Sequence, residues 1–270
     1  MGEKKKILVC FKVTNELDTV LEEDWMQSRN GDVDLSYTRK MIGCYDEAAL
    51  ENGLRLADQM RQMGIEAEVT ALTIGKDVQE GICKNLLAVG CDRVFVWKCE
   101  ADLRFRPEET AFRIASFVRR EGGFDVILMG QQASVGDHGK IHWMTGEYLS
   151  LPVATQVKEI FWQDGQIQAV SEDEQWERRY GSSRPMICAM GNARYPYLRV
   201  ATLREKMASS KKKITEIEEE DKVTGSRIRE AEPVVFVRKK SVRNCRFIEG
   251  ETAEEKARVL WEHLKEEGSL

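Results

Sequence analysis

Histidine is scarce in this chain, with three in 270 residues. That scarcity limits both histidine metal centres and histidine general bases. Long apolar runs are missing too. The longest, such as Ile7 to Phe11 and Val126 to Met129, fall far short of the ~20 residues of a spanning helix, so no membrane insertion is expected. The basic start, Lys4-Lys5-Lys6, precedes only that first short run and does not make a signal peptide. There is no surplus of positive charge. With 41 Lys and Arg against 46 Asp and Glu the net charge is −5, and nucleic acid, which asks for a basic face, is not expected as a partner. The cysteines (Cys10, Cys44, Cys83, Cys91, Cys99, Cys188, Cys245) include no CxxC pair. Reduced thiols in a cytoplasmic protein are the simplest expectation.

What is present is an alternation of strands and helices. Ile7 to Val13 reads as a buried strand and Val33 to Tyr37 as a short one after Asn30-Gly31-Asp32. From Asp46 the period becomes helical, with Leu50, Leu54, Ala57 and Met60 on one stripe and Gly64 at its C-terminal end. Glu66 to Thr73 is the next strand. Asp77 with Glu80 resembles a capping box that opens a helix carrying Val78, Ile82, Leu86 and Val89. Arg93 to Trp97 is a strand, Pro107 opens a helix carrying Ala111, Ile114, Ala115 and Val118, and Phe124 to Met129 is the fourth main strand. This order predicts an α/β fold, a doubly wound, mostly parallel Rossmann-type sheet with helices on both faces. Ligands of such sheets bind beyond the carboxyl ends of the strands where the order reverses, here between the first and fourth strands. Farther on, Val157 to Trp162 and Gln166 to Val170 flank the hairpin signal Asp164-Gly165, Pro185 to Met190 is another strand, and Thr252 to Glu267 is an amphipathic helix with Ala257, Leu260, Trp261 and Leu264 on one face. The expected organisation is a nucleotide-binding domain over 1–220, with a hairpin insertion at about 156–190, then an arm and helix over 221–270.

The segment richest in chemistry is Phe124 to Ile141. It reads as a buried strand, a glycine-bearing polar loop and a helix starting near Gly139. Glycines let backbone approach a ligand, and free amides at a helix start favour phosphate. An ordinary strand-to-helix connection would look the same. Neither GxxxxGK[ST] nor GxGxxG is present, so the P-loop and the usual dinucleotide fingerprint do not apply. His138 and His142 are four apart and would share a helix face, but a further ligand is wanting and no metal is expected.

Six separated stretches resemble one family in the same order. They are Ile7-Leu-Val-Cys-Phe-Lys12, Asp46-Glu-Ala-Ala-Leu-Glu51 through Leu56, Leu87-Ala-Val-Gly-Cys-Asp-Arg93, Gly130-Gln-Gln-Ala133 with Gly136-Asp137, Asn192-Ala-Arg194-Tyr195-Pro, and Lys211-Lys-Lys-Ile214. The chain resembles the β (small) subunit of electron transfer flavoproteins, with an adenine-nucleotide-hydrolase-like fold. The resemblance implies an electron carrier without bond-making chemistry of its own. It implies an α-subunit partner, an FAD shared with that subunit, and AMP or a second FAD in this chain's crevice, the latter in electron-bifurcating members. It also implies acyl-CoA or other flavin dehydrogenases as partners, and a C-terminal arm that docks on the α subunit.

Carried over by position, the nucleotide site comprises Cys10, the turn Gly43, Cys44, Tyr45, Asp46, then Ile74, and the loop Gly130, Gln131, Gln132, Ala133, Ser134, Val135, Gly136, Asp137, His138, Gly139, Lys140, Ile141. The phosphate would lie on amides around Asp137 to Lys140. Met190, Arg194 and Tyr195 are the partner-facing candidates; a core methionine is the alternative for Met190, and loop-fixing for the other two. The chain departs from the family at Gly43-Cys44, where an Asn-Pro turn is usual. It departs again at Lys140, His142, Trp143 and at Asn192-Ala193. Two competing functions remain: a stand-alone adenine-nucleotide-binding regulatory protein, and an ATP-cleaving enzyme. The second is weakened because Cys10 to Asn15 lacks the Ser-Gly-Gly-x-Asp-Ser loop.

Overall fold

A computed structural model describes residues 4–27, 33–76, 78–134, 136, 138–173, 175–218 and 245–266. The chain divides into two compact units, Met1–Gln27 with Val33–Glu232, and Ser28–Asp32 with Pro233–Leu270. In chain order the first contains β1 (Lys5–Cys10), β2 (Val13–Asn15), α1 (Glu22–Gln27), β3 (Lys40–Ile42), α2 (Cys44–Gln62), β4 (Ala67–Gly75), α3 (Glu80–Val89), β5 (Arg93–Lys98), α4 (Pro107–Arg120), β6 (Val126–Gly130), α5 (Ile141–Leu149), β7 (Val153–Gln163), β8 (Gln166–Glu172), β9 (Glu177–Ser182), β10 (Met186–Met190), α6 (Leu203–Ser209) and β11 (Thr215–Ile217). The second contains α7 (Ala253–Glu266).

The large sheet has nine strands in the order β11-β5-β4-β1-β6-β10-β7-β8-β9. Every pairing from β11 to β7 is parallel; β8 and β9 add antiparallel. The interior strands are apolar on both faces, as a sheet covered by helices on both sides demands. Along β1, Ile7 and Val9 join the core under α2 and α3, while Leu8 and Cys10 join the core under α4. β6 divides the same way, Val126 and Leu128 against Ile127 and Met129. The helix-forming stripe of α2 (Leu50, Leu54, Ala57, Met60) is entirely buried in the first of these cores. Helix α2 lies close on the sheet because Gly53 has no side chain: a Cβ there would meet Val9 Cγ2 at 2.8 Å and Leu128 Cδ1 at 3.1 Å.

The parallel, doubly wound α/β architecture is as expected, and β1 lies between β4 and β6, so the order reverses at β1/β6. Several local expectations are corrected. The first strand stops at Cys10; Val13 belongs to β2, which among the described residues pairs with β3 alone, in a separate two-stranded ladder. No strand forms at 33–37, and the extended segment lies at Lys40–Ile42 instead. Asp77 falls outside the described residues. Helix α3 starts at Glu80 behind Gln79 without a side-chain cap, so Glu80 is its first residue and not the partner in a capping box. The box that does form joins Thr202 and Glu205 at the start of α6. The Asp164-Gly165 hairpin is present, with φ of 52° and 76° at its two turn residues. β10, however, is an interior strand between β6 and β7.

Candidate functional site

At the reversal, a cleft opens over the carboxyl ends of β1, β4 and β6 on the α4 side. Its apolar wall is Leu72, Ile74, Leu103, Ile114, Met129 and Ile141, and its polar lining includes Lys12, Thr110, Gln131, Gln132 and Lys140. Most of the residues expected from sequence meet here: Cys10, Asp46, Ile74, Gly130, Gln131, Gln132, Ala133, His138, Gly139, Lys140 and Ile141. The residue-by-residue expectation did not include Phe11, Lys12, Leu72, Met129, Leu103, Thr110 and Ile114. The last three come from the β5–α4 connection and α4, and only the sheet order brings them opposite β6.

The cleft's backbone geometry rests on glycine. A Cβ on Gly130 would lie 2.5 Å from Asp46 Oδ1, 2.9 Å from Tyr45 Cβ and 3.0 Å from the Asp46 nitrogen. At Gly136, φ is +89° and a Cβ would meet the Arg104 carbonyl at 2.6 Å. That close approach joins the loop after β6 to the loop before α4. Gly139 also has positive φ, +54°, just ahead of α5. Lys140 is the N-cap of α5 and makes no side-chain cap bond, so among the described residues no side chain caps the helix's first amides.

Asp46 is buried in the first turn of α2. Its Oδ2 accepts the Lys12 N–H at 2.8 Å and its Oδ1 accepts the Gly130 N–H at 2.9 Å. Burial pushes its carboxyl up to about 6, against the pull of these two amides and of the Lys12 charge. Burial likewise lowers the Lys12 ammonium and raises the Cys10 thiol.

The remaining candidates sit elsewhere. Gly43 is the N-cap of α2, Cys44 is exposed at its first position, and Tyr45 adjoins Gly130. Ser134 is exposed, while Val135 and Asp137 lie outside the described residues. His142 is buried inside α5 and His138 precedes that helix, so the two do not share a helical face. Burial lowers the His142 imidazole to about 4, which keeps it neutral at physiological pH. Among the described residues, no group of three or more His, Cys, Asp or Glu is placed to hold a metal.

Met190 is corrected as a docking residue. It is the last residue of β10, fully buried in the α2-side core. The loop after it is clasped to α2. Buried Glu51 receives the Arg199 backbone N–H and guanidinium at 3.0 Å and the Arg55 Nε at 2.8 Å. Asn52 donates to the Tyr195 carbonyl at 3.1 Å. Arg55 lies over the Tyr195 ring at 3.6 Å, and Arg194 pairs with Glu159 at 3.2 Å. Arg194 and Tyr195 thus fix the loop. That stretch of chain exposes four large apolar side chains, Tyr197, Val200, Leu203 and Met207, all at least 69% accessible, among exposed charges that include Arg204, Glu205 and Lys206.

The fold defines a class, the doubly wound α/β proteins with a cleft at the switch point of a parallel sheet. Residues 36–222 match the family model described as the electron transfer flavoprotein domain. This chain belongs to the electron transfer flavoprotein family, whose members are electron carriers. It is similar to a protein of Escherichia coli (strain K12) named "Putative electron transfer flavoprotein subunit YgcR", with 28% identity over 258 residues that cover 95% of this chain and 96% of that one. No helix among the described residues is long and apolar enough to cross a membrane.

Proposed function

We propose that the chain is the β subunit of a heterodimeric electron transfer flavoprotein, holding AMP or a second FAD in its switch-point cleft and sharing an electron-transferring FAD with an α subunit. The observation that carries this reading is the cleft itself. An apolar wall suited to a flat ring faces glycine-supported backbone and the uncapped start of α5, which suit a phosphate. Cys10, Ile74, Met129 and Ile141 would contact the ring system, Gln131 and Gln132 would offer neutral hydrogen bonds, and the amides near Gly139 to Ile141, with Lys140, would hold the phosphate. Bound flavin supplies the electron-accepting and electron-donating chemistry. The protein's task is to bind it, orient it and exclude water. The exposed apolar side chains Tyr197, Val200, Leu203 and Met207, with the charges among them, would be the surface offered to an electron-exchanging partner such as a flavin dehydrogenase. With its thiols reduced, the protein would work in the cytoplasm.

The test is co-expression with a candidate α subunit. A yellow heterodimer supports the proposal; a colourless chain that neither binds flavin nor associates overturns it. Acid release then counts the nucleotides. One FAD with one AMP marks a simple carrier, and two FAD mark an arrangement of the bifurcating kind.

A further inference from the structure

Asp46 is more than an acidic residue at a helix start. An aspartate in a first helical turn ordinarily serves its own helix, through the dipole or the free amides. Here both carboxylate oxygens turn to other elements. One accepts the amide at the exit of β1 and the other the last amide of β6. Those strands are the two lips of the switch point, and their exit amides are the donors that a ligand anion would otherwise find there. The approach is close enough that position 130 has no room for a Cβ. The same carboxylate lines the cleft.

We propose that Asp46 is a positioning residue acting as a built-in anion: it claims the Lys12 and Gly130 amides, fixes the two lips, and leaves the base of the cleft to the uncharged part of a ligand, confining the phosphate to the Gly139–Ile141 side. This rests on the nucleotide reading above and deepens it. The groups that bear on Asp46 are Lys12 and Cys10 from the β1 side, Tyr45 and Glu47 beside it on α2, and His138 and Lys140 from the loop that lines the same cleft. Lys12 is the charge acting on it most directly and favours its ionised form. When Asp46 takes up a proton, one oxygen becomes a donor and can no longer serve a lip amide fully. Lip geometry is therefore expected to change with pH.

The experiment follows the backbone amides of the full-length chain by NMR, with inorganic phosphate, AMP and FAD as probes at pH 7.5. In the wild type, AMP is expected to shift the Gly139, Lys140 and Ile141 amides, while inorganic phosphate leaves Lys12 and Gly130 in place. In Asp46→Ala both lip amides are expected to exchange with solvent roughly tenfold faster or more, and inorganic phosphate is expected to shift them. In the ligand-free wild type the two lip amides are expected to titrate with a midpoint near pH 6, where Asp46 itself titrates, whereas Asp46→Asn stays flat. Phosphate-induced shifts at Lys12 and Gly130 in the wild type as large as those at Gly139–Ile141 overturn the proposal. So does an Asp46→Ala variant whose lip amides exchange no faster than in the wild type and are not shifted by phosphate. The first arm needs no variant and decides the matter even if Asp46→Ala fails to fold. If neither AMP nor FAD moves a cleft amide, the nucleotide reading fails and takes the proposal with it; if either binds while inorganic phosphate shifts the wild-type lips as far as Gly139–Ile141, the proposal fails alone.

Discussion

At the scale of single residues, the cost of the cleft is concentrated in Asp46 and Gly130. The carboxyl of Asp46 titrates near 6, above its ordinary 3.8. A raised carboxyl favours the folded state while protonated, so this contribution is full below pH 3.8 and is lost as pH rises through about 6. The wild type is therefore expected to lose up to about 3 kcal/mol relative to Asp46→Asn between pH 4 and pH 7, as measured by paired urea titrations. Gly130→Ala forces a Cβ against the carboxylate and backbone of Asp46. Backbone cannot retreat as a side-chain tip can, so a loss of about 1–3 kcal/mol is expected, with weakened nucleotide retention seen by release and chromatography. Unchanged retention would detach Gly130 from the site. Gly130 was legible in the sequence as a loop glycine after a buried strand. Its reason was not, because the atoms it avoids come from a residue 84 positions earlier. Lys12 was legible as the lysine that closes the first strand's motif; that its amide reaches Asp46 was not, for the same kind of reason.

At the scale of elements, the strongly patterned pieces were readable. The stripes of α2 and α4 and the apolar runs of β1, β4, β5 and β6 state their burial directly, and their order gave the switch point. The weaker pieces were not. β9 reads Glu-Arg-Arg-Tyr-Gly-Ser, carries mostly charge and turn-type residues, and is exposed over most of its length. It is a strand only because β8 pairs with it, and its charges suit the edge of a sheet. The expected strand at 33–37 failed in the opposite direction, since a turn signal followed by Val, Leu and Tyr does not guarantee a neighbour to pair with. The clasp of the 191–202 loop on α2 depends on Glu51. Glu51→Ala removes the acceptor for the Arg199 backbone and side chain and for Arg55. A cost of about 1–3 kcal/mol is expected, with faster proteolysis between Tyr195 and Leu203 than in the wild type; equal cleavage rates would show that the loop is held by something else.

At the scale of the whole molecule, a near-balanced charge of −5 conceals a division of labour. Exposed apolar side chains occur across the first unit, and Tyr197, Val200, Leu203 and Met207 bring four of the most exposed within eleven residues. A double variant, Leu203→Glu with Met207→Glu, alters two side chains that are 76% and 69% exposed. It is expected to leave the fold and bound nucleotide unchanged, within about 0.5 kcal/mol, while cutting the rate of electron exchange with a partner dehydrogenase tenfold or more. A stopped-flow measurement that finds equal rates would move the docking surface elsewhere. Helix α7, amphipathic and with Leu260 and Trp261 half exposed, gives the second unit an apolar stripe of its own.

The place of β10 bears on how the chain is made. It lies between β6 and β7 although both precede it in sequence. A ribosome that has released residue 185 has delivered two strands whose facing edges have no partner, and the sheet cannot join its halves until the next five residues arrive. β10 is apolar and wholly buried from Met186 to Met190, so it enters as a wedge that must find a slot already shaped. Its late entry sets a high sequence separation for the contacts that close the sheet, and slow closure is the expected result. A nascent chain stalled at 185 is therefore expected to aggregate or to occupy chaperones, and one extended past 190 and clear of the exit tunnel to become protease-resistant.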